Sequence, residues 1–250
     1  MTSLKPTTAA AFESYARNVE ARLSGRWHGK QSLLAIDNNP SAMQRVIKGE
    51  ILVEPASSNN PVDLPDGLAH DWIGDVFIPH ATIESVFAVL KDFDHHAGLY
   101  KDVTRSRLLR SDGDHVVGSW RIERKTEVVP VVFDIVDDTH YERVAPRKWI
   151  CRAYAKNVIQ VDHADQSDER ALPVGEGFGF LWRLYAYWAF EETDGGVLVE
   201  CRSLSLSRSV PRGLGWMVGP YIRKQPQDSL LSTLRSTREA SGKRLAASVH

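Results

Sequence analysis

The sequence predicts an α+β domain in which a curved antiparallel sheet of seven strands wraps around a long C-terminal helix. Three observations carry this expectation. Strand-like segments at 103–111, 114–126, 128–138, 147–162, 176–192 and 196–209 follow one another with no helical pattern between them. Six consecutive strands leave no room for helical crossovers, so the sheet is antiparallel. Asp112-Gly113 and Asp194-Gly195-Gly196 stand between segments as hairpin turns. Residues 211–241 then form the one helical stretch long enough to cover a face of such a sheet.

Taken in chain order, Phe12, Tyr15, Val19 and Leu23 fall at helical spacing, which predicts an amphipathic helix over 7–24. A loop at Asn38-Asn39-Pro40 precedes a short strand over 46–54, and residues 55–67, rich in Pro, Ser, Asn and Asp, read as a linker. Residues 1–66 are thus expected to be an N-terminal extension, 67–241 the main domain and 242–250 a tail. The main domain opens with a strand over 70–78, stopped by Pro79. Ile83, Val86, Phe87 and Leu90 place a helix over 81–91, and 93–100 reads as a second short helix. The terminal helix is expected to break near Gly219-Pro220 and restart at Pro226, with Asp228 in its new first turn.

Composition narrows the function. The chain has 250 residues, 42% of them hydrophobic, and a net charge of −1. That is enough apolar material for a core, and no charge excess draws the chain to nucleic acid or an anionic membrane. No segment is long and apolar enough to span a bilayer, and no signal peptide is read at the N-terminus, so the chain reads as cytoplasmic. A trimmed exported protein would look the same, which leaves the compartment open, as the sequence also leaves the oligomeric state.

Three stretches carry a family resemblance: VFIPHATIESVFAVLKDFDHHAGLYKDVTRSRLL, GFLWRLYAYWAFEETDGGVLVECRSLSLSRSVP and GLGWMVGPYIRKQPQDSLLSTLRSTREA. From about Gly67 to Ala240 the chain resembles the START, polyketide-cyclase and coenzyme Q-binding superfamily, the Bet v 1-like helix-grip proteins, and within it a bacterial START-like subgroup. The resemblance implies a helix-grip fold with an internal ligand cavity. The superfamily holds lipid carriers, quinone-binding proteins, cyclases and hydrolases with no shared catalytic motif, so it implies no catalytic residue.

Strand alternation assigns faces. Phe133, Trp149, Cys151, Ala153, Trp182, Ala186, Trp188, Cys201 and Ser203 are expected on the inner face, facing Met217, Leu230 and Leu234 of the terminal helix. Several of these are small, as are Ala155 and Ser205. Small residues beneath a helix mean either close approach or a void. The resemblance favours a void of a few hundred Å3, suited to a lipid, a quinone or isoprenoid, or a polyketide-like molecule. Arg183, Tyr185 and Tyr187 have two readings: a set that orients ligand at the cavity mouth, or an outer face packed on the N-terminal extension. Their parity opposite Trp182 and Trp188 favours the second.

Asp92, Asp94, His95 and His96 are ligand-type residues, but adjacent histidines on a short helix point apart, so a solvated helix end is expected. His163, with Asp162 and Asp165, reads as loop. Gly175 to Gly179 opens a strand rather than a helix, and no Walker, dinucleotide or G-x-S-x-G motif is present. Ser203, Ser205 and Ser207 lack a base nearby in sequence, though partners for a triad can meet only in three dimensions. No metal or cofactor is expected. The inner-face list contains no Asp, Glu, Lys or His, which favours a binding or transfer protein over a cyclase, dehydratase or hydrolase using the same cavity. An interaction module built on the extension is a third reading. Cys151 and Cys201 face inward with one strand between them, about 10 Å apart, which predicts two free buried thiols.

Overall fold

The computed structural model describes residues 1–30, 32–124, 131–209 and 215–248, with side chains described for all of these except 215–223 and 245–248. Helix α1 is Pro6–Trp27, with proline at its start where no backbone donor is needed. Helix α2 is Pro40–Ile47, capped by Asn39 Oδ1 accepting from Ala42 N at 3.1 Å. Strand β1 is Leu52–Pro55 and β2 is Gly67–Pro79. Helix α3, Ile83–Leu90, starts at a capping box formed by Thr82 and Ser85. Strands β3 Val103–Asp112, β4 His115–Arg124, β5 Val131–Ala145, β6 Lys148–Asp162, β7 Arg183–Thr193 and β8 Gly196–Arg208 follow, and helix α4 is Gly215–Ser248.

The sheet order is β1-β2-β8-β7-β6-β5-β4-β3, every neighbour antiparallel. Two-residue turns close the hairpins β3–β4 and β7–β8, with Gly113 at a φ of 59° that suits glycine. Among the described residues, seven long strands make up the main sheet, and Leu52–Pro55, Val62–Leu64 and Arg170–Ala171 extend it.

Several expectations are corrected. Residues 46–54 are not one strand: α2 runs to Ile47 and β1 begins at Leu52. The stretch 93–100 holds one 3-10 turn, Phe93–His95. The strand expected over 176–192 begins at Arg183, and that expected over 128–138 continues to Ala145. Helix α4 does not break at Gly219-Pro220 or Pro226. An internal proline deletes one backbone hydrogen bond but leaves the rest of a 34-residue ladder in place.

The sheet has two covered faces. On the inner one, Tyr141, Cys151, Trp188, Cys201 and Gly74 lie in a single row across five strands. Leu230 and Leu234 of α4 pack there with Val76, Val199 and Phe190. Gly74 sets the approach of the helix: a Cβ at this position would sit 2.6 Å from Leu234 Cδ1. The small-residue patch is therefore split, with close approach at Gly74 and Cys201 and open space farther along, at Cys151 and Ala153.

Helix α1 covers the outer face. Phe12, Ala16, Val19, Leu23 and Trp27, spaced at helical intervals, are buried with Tyr185, Tyr187, Leu204 and Leu206. Charge fastens the segment. Glu200 accepts from Arg26 and from Ala35 N, and Asp71 accepts from Arg202 at 2.6 and 2.8 Å and from Tyr15 Oη at 2.7 Å. Asp75 lies beside this network with one carboxyl oxygen unpartnered, and burial, reinforced by Glu200 and Glu54, pushes its pKa up to about 8.

Candidate functional site

A pocket of about 140 Å3 lies between α4 and the inner face. Its apolar wall comes from Leu90, Phe93, Val103, Trp120, Ile122, Ala153, Leu184 and Trp188, and α4 contributes Ser229, Ser232 and Thr233. The volume is smaller than the sequence suggested, because α4 closes on Gly74 and Cys201. A cavity of about 150 Å3 holds a benzene-sized ring.

The wall is not free of charge. Asp137, with its side chain in the pocket lining, is 6% exposed. Its Oδ2 accepts from Thr139 Oγ1 at 3.1 Å, and no other hydrogen bond reaches the carboxyl among the described residues. Burial, which the neighbouring Asp138 reinforces and the Thr139 hydroxyl opposes, pushes its pKa up to about 7. Around it stand Tyr141 and Cys151, whose pKa values burial also raises well above the ordinary range. Lys101, Asp102 and Arg124 also line it. The expectation of an inner face without Asp, Glu, Lys or His is therefore corrected. Asp137 lies within the strand expected over 128–138 and has the same parity as Val131, Phe133 and Ile135, so alternation pointed to it, but the inward set was read only as far as Ile135.

A bulge accommodates this carboxyl. Val136 pairs with Asn157 and Asp138 with Tyr154, so two residues of β6 face Asp137. The bulge switches the inward residues of β6 from odd numbers, Cys151 and Ala153, to even ones such as Val158, which packs with Phe133 and Ile135.

His96 also lines the pocket, but both ring nitrogens are engaged. Trp120 Nε1 donates to its Nδ1 at 3.0 Å, so the ring proton sits on Nε2 and donates to the Val89 carbonyl at 3.0 Å. Burial lowers its pKa and keeps the ring neutral. His96 is a strut rather than an acid or base. Tyr100 Oη, 3.2 Å from Thr237 Oγ1, ties the same segment to α4.

The candidates from the sequence divide. Cys151, Ala153 and Trp188 line the pocket. Phe133 and Ser203 line a second pocket of about 50 Å3, which shares Arg124, Leu184 and Ser229 with the first. Arg124 Nη2 donates to Ser229 Oγ at 3.2 Å where the two meet. Trp149, Ala186, Cys201, Leu230 and Leu234 pack into the inner core. Trp182 is corrected: it belongs to the outer cluster with α1, because 178–182 precede the strand and do not alternate. Tyr185 and Tyr187 also face outward, donating to Glu13 at 2.6 Å and Glu20 at 2.9 Å on α1, and Arg183 donates to the Trp182 carbonyl at 2.8 Å. The side chain of Met217 lies outside the described residues. Of the 92–96 cluster, Asp92 pairs with His95 and Arg244, and Asp94 accepts from Leu108 N at 2.9 Å. His163 pairs with Asp168 at 2.5 Å. Cys151 and Cys201 are both buried and free, with Trp188 between them.

No family model and no curated protein matches the sequence. Among solved structures, the chain is similar to a fragment of a STAR-related lipid transfer protein from Xanthomonas axonopodis, with TM-score 0.49 and 20% identity over 76% of this chain and 98% of that one. Human STARD10 gives TM-score 0.47 and 13% identity over 86% and 83%. The Zhui aromatase/cyclase of a Streptomyces species gives 0.40 and 12% over 72% and 94%. In this chain itself the continuous antiparallel order, with a long C-terminal helix laid across the inner face, is the helix-grip architecture of START-like and Bet v 1-like proteins.

Proposed function

We propose that the chain binds and carries a hydrophobic small molecule in the pocket beneath α4, one that bears a ring and a polar oxygen. The observation that carries the reading is an apolar pocket of about 140 Å3 whose wall holds one buried carboxyl, that of Asp137. A carboxyl with its pKa pushed up to about 7 keeps much of its proton near neutrality and donates a hydrogen bond to a carbonyl or hydroxyl. A quinone or polyketide-like ring suits this volume better than a two-chain lipid does.

The test is mass spectrometry of the native protein and of its solvent extract, followed by titration with a naphthoquinone read from quenching of tryptophan fluorescence, to which the pocket-lining Trp120 and Trp188 contribute. Saturable quenching is expected, and Ala153→Trp, which fills the pocket, should weaken it about tenfold with folding intact. Absence of any extractable apolar molecule together with absence of saturable quenching would overturn the proposal.

A second reading, an acid–base enzyme of the cyclase or dehydratase kind, is favoured by the same carboxyl. General acid catalysis needs a group whose pKa lies near the working pH. Asp137→Asn separates the readings, because a carrier keeps most of its affinity while an enzyme that binds normally loses turnover.

A further inference from the structure

We propose that His115, Asp138 and His140 form a binding site for a divalent transition-metal ion, zinc in particular, on the outer face of β4 and β5. His115 and His140 are direct cross-strand partners, and Asp138 is two residues from His140 on the same face of the same strand. Their ligand atoms all lie within 4.8 Å of one another. His115 Nε2 is 2.7 Å and His140 Nε2 is 3.0 Å from Asp138 Oδ1. The two imidazoles stack, with centroids 4.1 Å apart and planes 13° from parallel. Both rings thus present the same nitrogen to one carboxylate oxygen.

Zinc takes imidazole nitrogen and carboxylate oxygen at about 2.0–2.2 Å, which in a tetrahedron sets ligand atoms roughly 3.3 Å apart. Spreading the two nitrogens from Asp138 by a few tenths of an ångström opens that space without moving the strands. Two imidazoles and a carboxylate leave coordination positions for water, and the half-exposed Asp138 and His140 give solvent access to them.

One contact opposes the ion as the side chains stand. Arg110 Nη2 lies 2.6 Å from His115 Nδ1. A guanidinium only donates, so His115 accepts at Nδ1 and carries its proton on Nε2, directed at Asp138. Metal on Nε2 displaces that proton, and the Nδ1–H that results needs an acceptor. Arg110 is exposed, so its side chain has solvent to swing into. An acceptor at position 110 would orient the ring for metal, and the arginine attenuates the site.

The site stands apart from the ligand pocket although the strand is shared. Asp137 and Thr139 face the pocket while Asp138 and His140 face out, so loss of either function leaves the other testable.

The test is titration of the untagged full chain with cobalt(II), read by its visible absorption, and competition by zinc followed by calorimetry. One equivalent is expected. His140→Ala and Asp138→Asn should each weaken binding about tenfold or more, Arg110→Glu should strengthen it several-fold, and His95→Ala should leave it unchanged. Far-ultraviolet circular dichroism checks that these surface variants stay folded. Absence of uptake, or uptake that survives His140→Ala and Asp138→Asn unchanged, would overturn the proposal and reduce the cluster to a hydrogen-bonded surface network.

Discussion

Replacing Asp137 by asparagine keeps the side chain's size and its acceptor for Thr139 Oγ1 but removes the proton. The folded chain holds that proton until about pH 7, whereas an unfolded chain gives it up near the ordinary value of 3.8. Between those limits the folded state binds more protons than the unfolded one. This group's contribution to stability is therefore fully present below about pH 3.8 and is lost progressively as pH rises from there to about 7. The interval spans about three pKa units, or about 4 kcal/mol in all, of which about 2–3 kcal/mol falls between pH 5 and pH 8. Asp75, raised to about 8, titrates in the same sense but is common to both proteins and cancels in their difference. Urea unfolding of wild type and variant at several pH values reads the effect directly. The stability of wild type relative to Asp137→Asn should fall by about 2–3 kcal/mol from pH 5 to pH 8, roughly a 1 M shift in relative midpoint. Parallel pH profiles for the two proteins would refute the buried-carboxyl argument, and a difference growing the other way would mean that the carboxyl is held ionised.

Three further outcomes are expected. Gly118→Ala should lower stability by about 1–3 kcal/mol in thermal or urea unfolding, because its Cβ would lie 1.8 Å from Phe93 Cδ1 in the ring stack with Trp120. Phe12→Ala should cost about 3–5 kcal/mol, since Phe12 is fully buried against the Tyr185 ring at 5.3 Å; a negligible loss would show that α1 is held mainly by its ion pairs. Cys151 and Cys201, whose pKa values burial raises, should react slowly with a thiol reagent in the native chain and rapidly in denaturant, releasing two equivalents. Fast native labelling would show that the inner row of the sheet is open to solvent.

Much of the fold is written locally. Period-two alternation separates Cys151 and Trp188, which face α4, from Tyr185 and Tyr187, which face α1. Asp-Gly turns fix the two tight hairpins, and the helical spacing of Phe12, Val19 and Leu23 declares α1. These signals are legible because strand pleat, turn geometry and helix pitch are properties of a few adjacent residues. They fail where the backbone departs from regularity: Trp182 stands before its strand, and the bulge facing Asp137 reverses the parity of β6.

Sequence by itself determined the antiparallel sheet, the covering helix and the faces of the regular strands. Tertiary structure alone decided how much space the helix leaves, because the depth of the pocket depends on Leu234 meeting Gly74 across most of the chain. It alone made Asp137 a buried acid, since the pKa of a carboxyl follows its desolvation and not its position in a pattern. It alone brought His115 against Asp138 and His140, residues on separate strands whose register no local periodicity fixes.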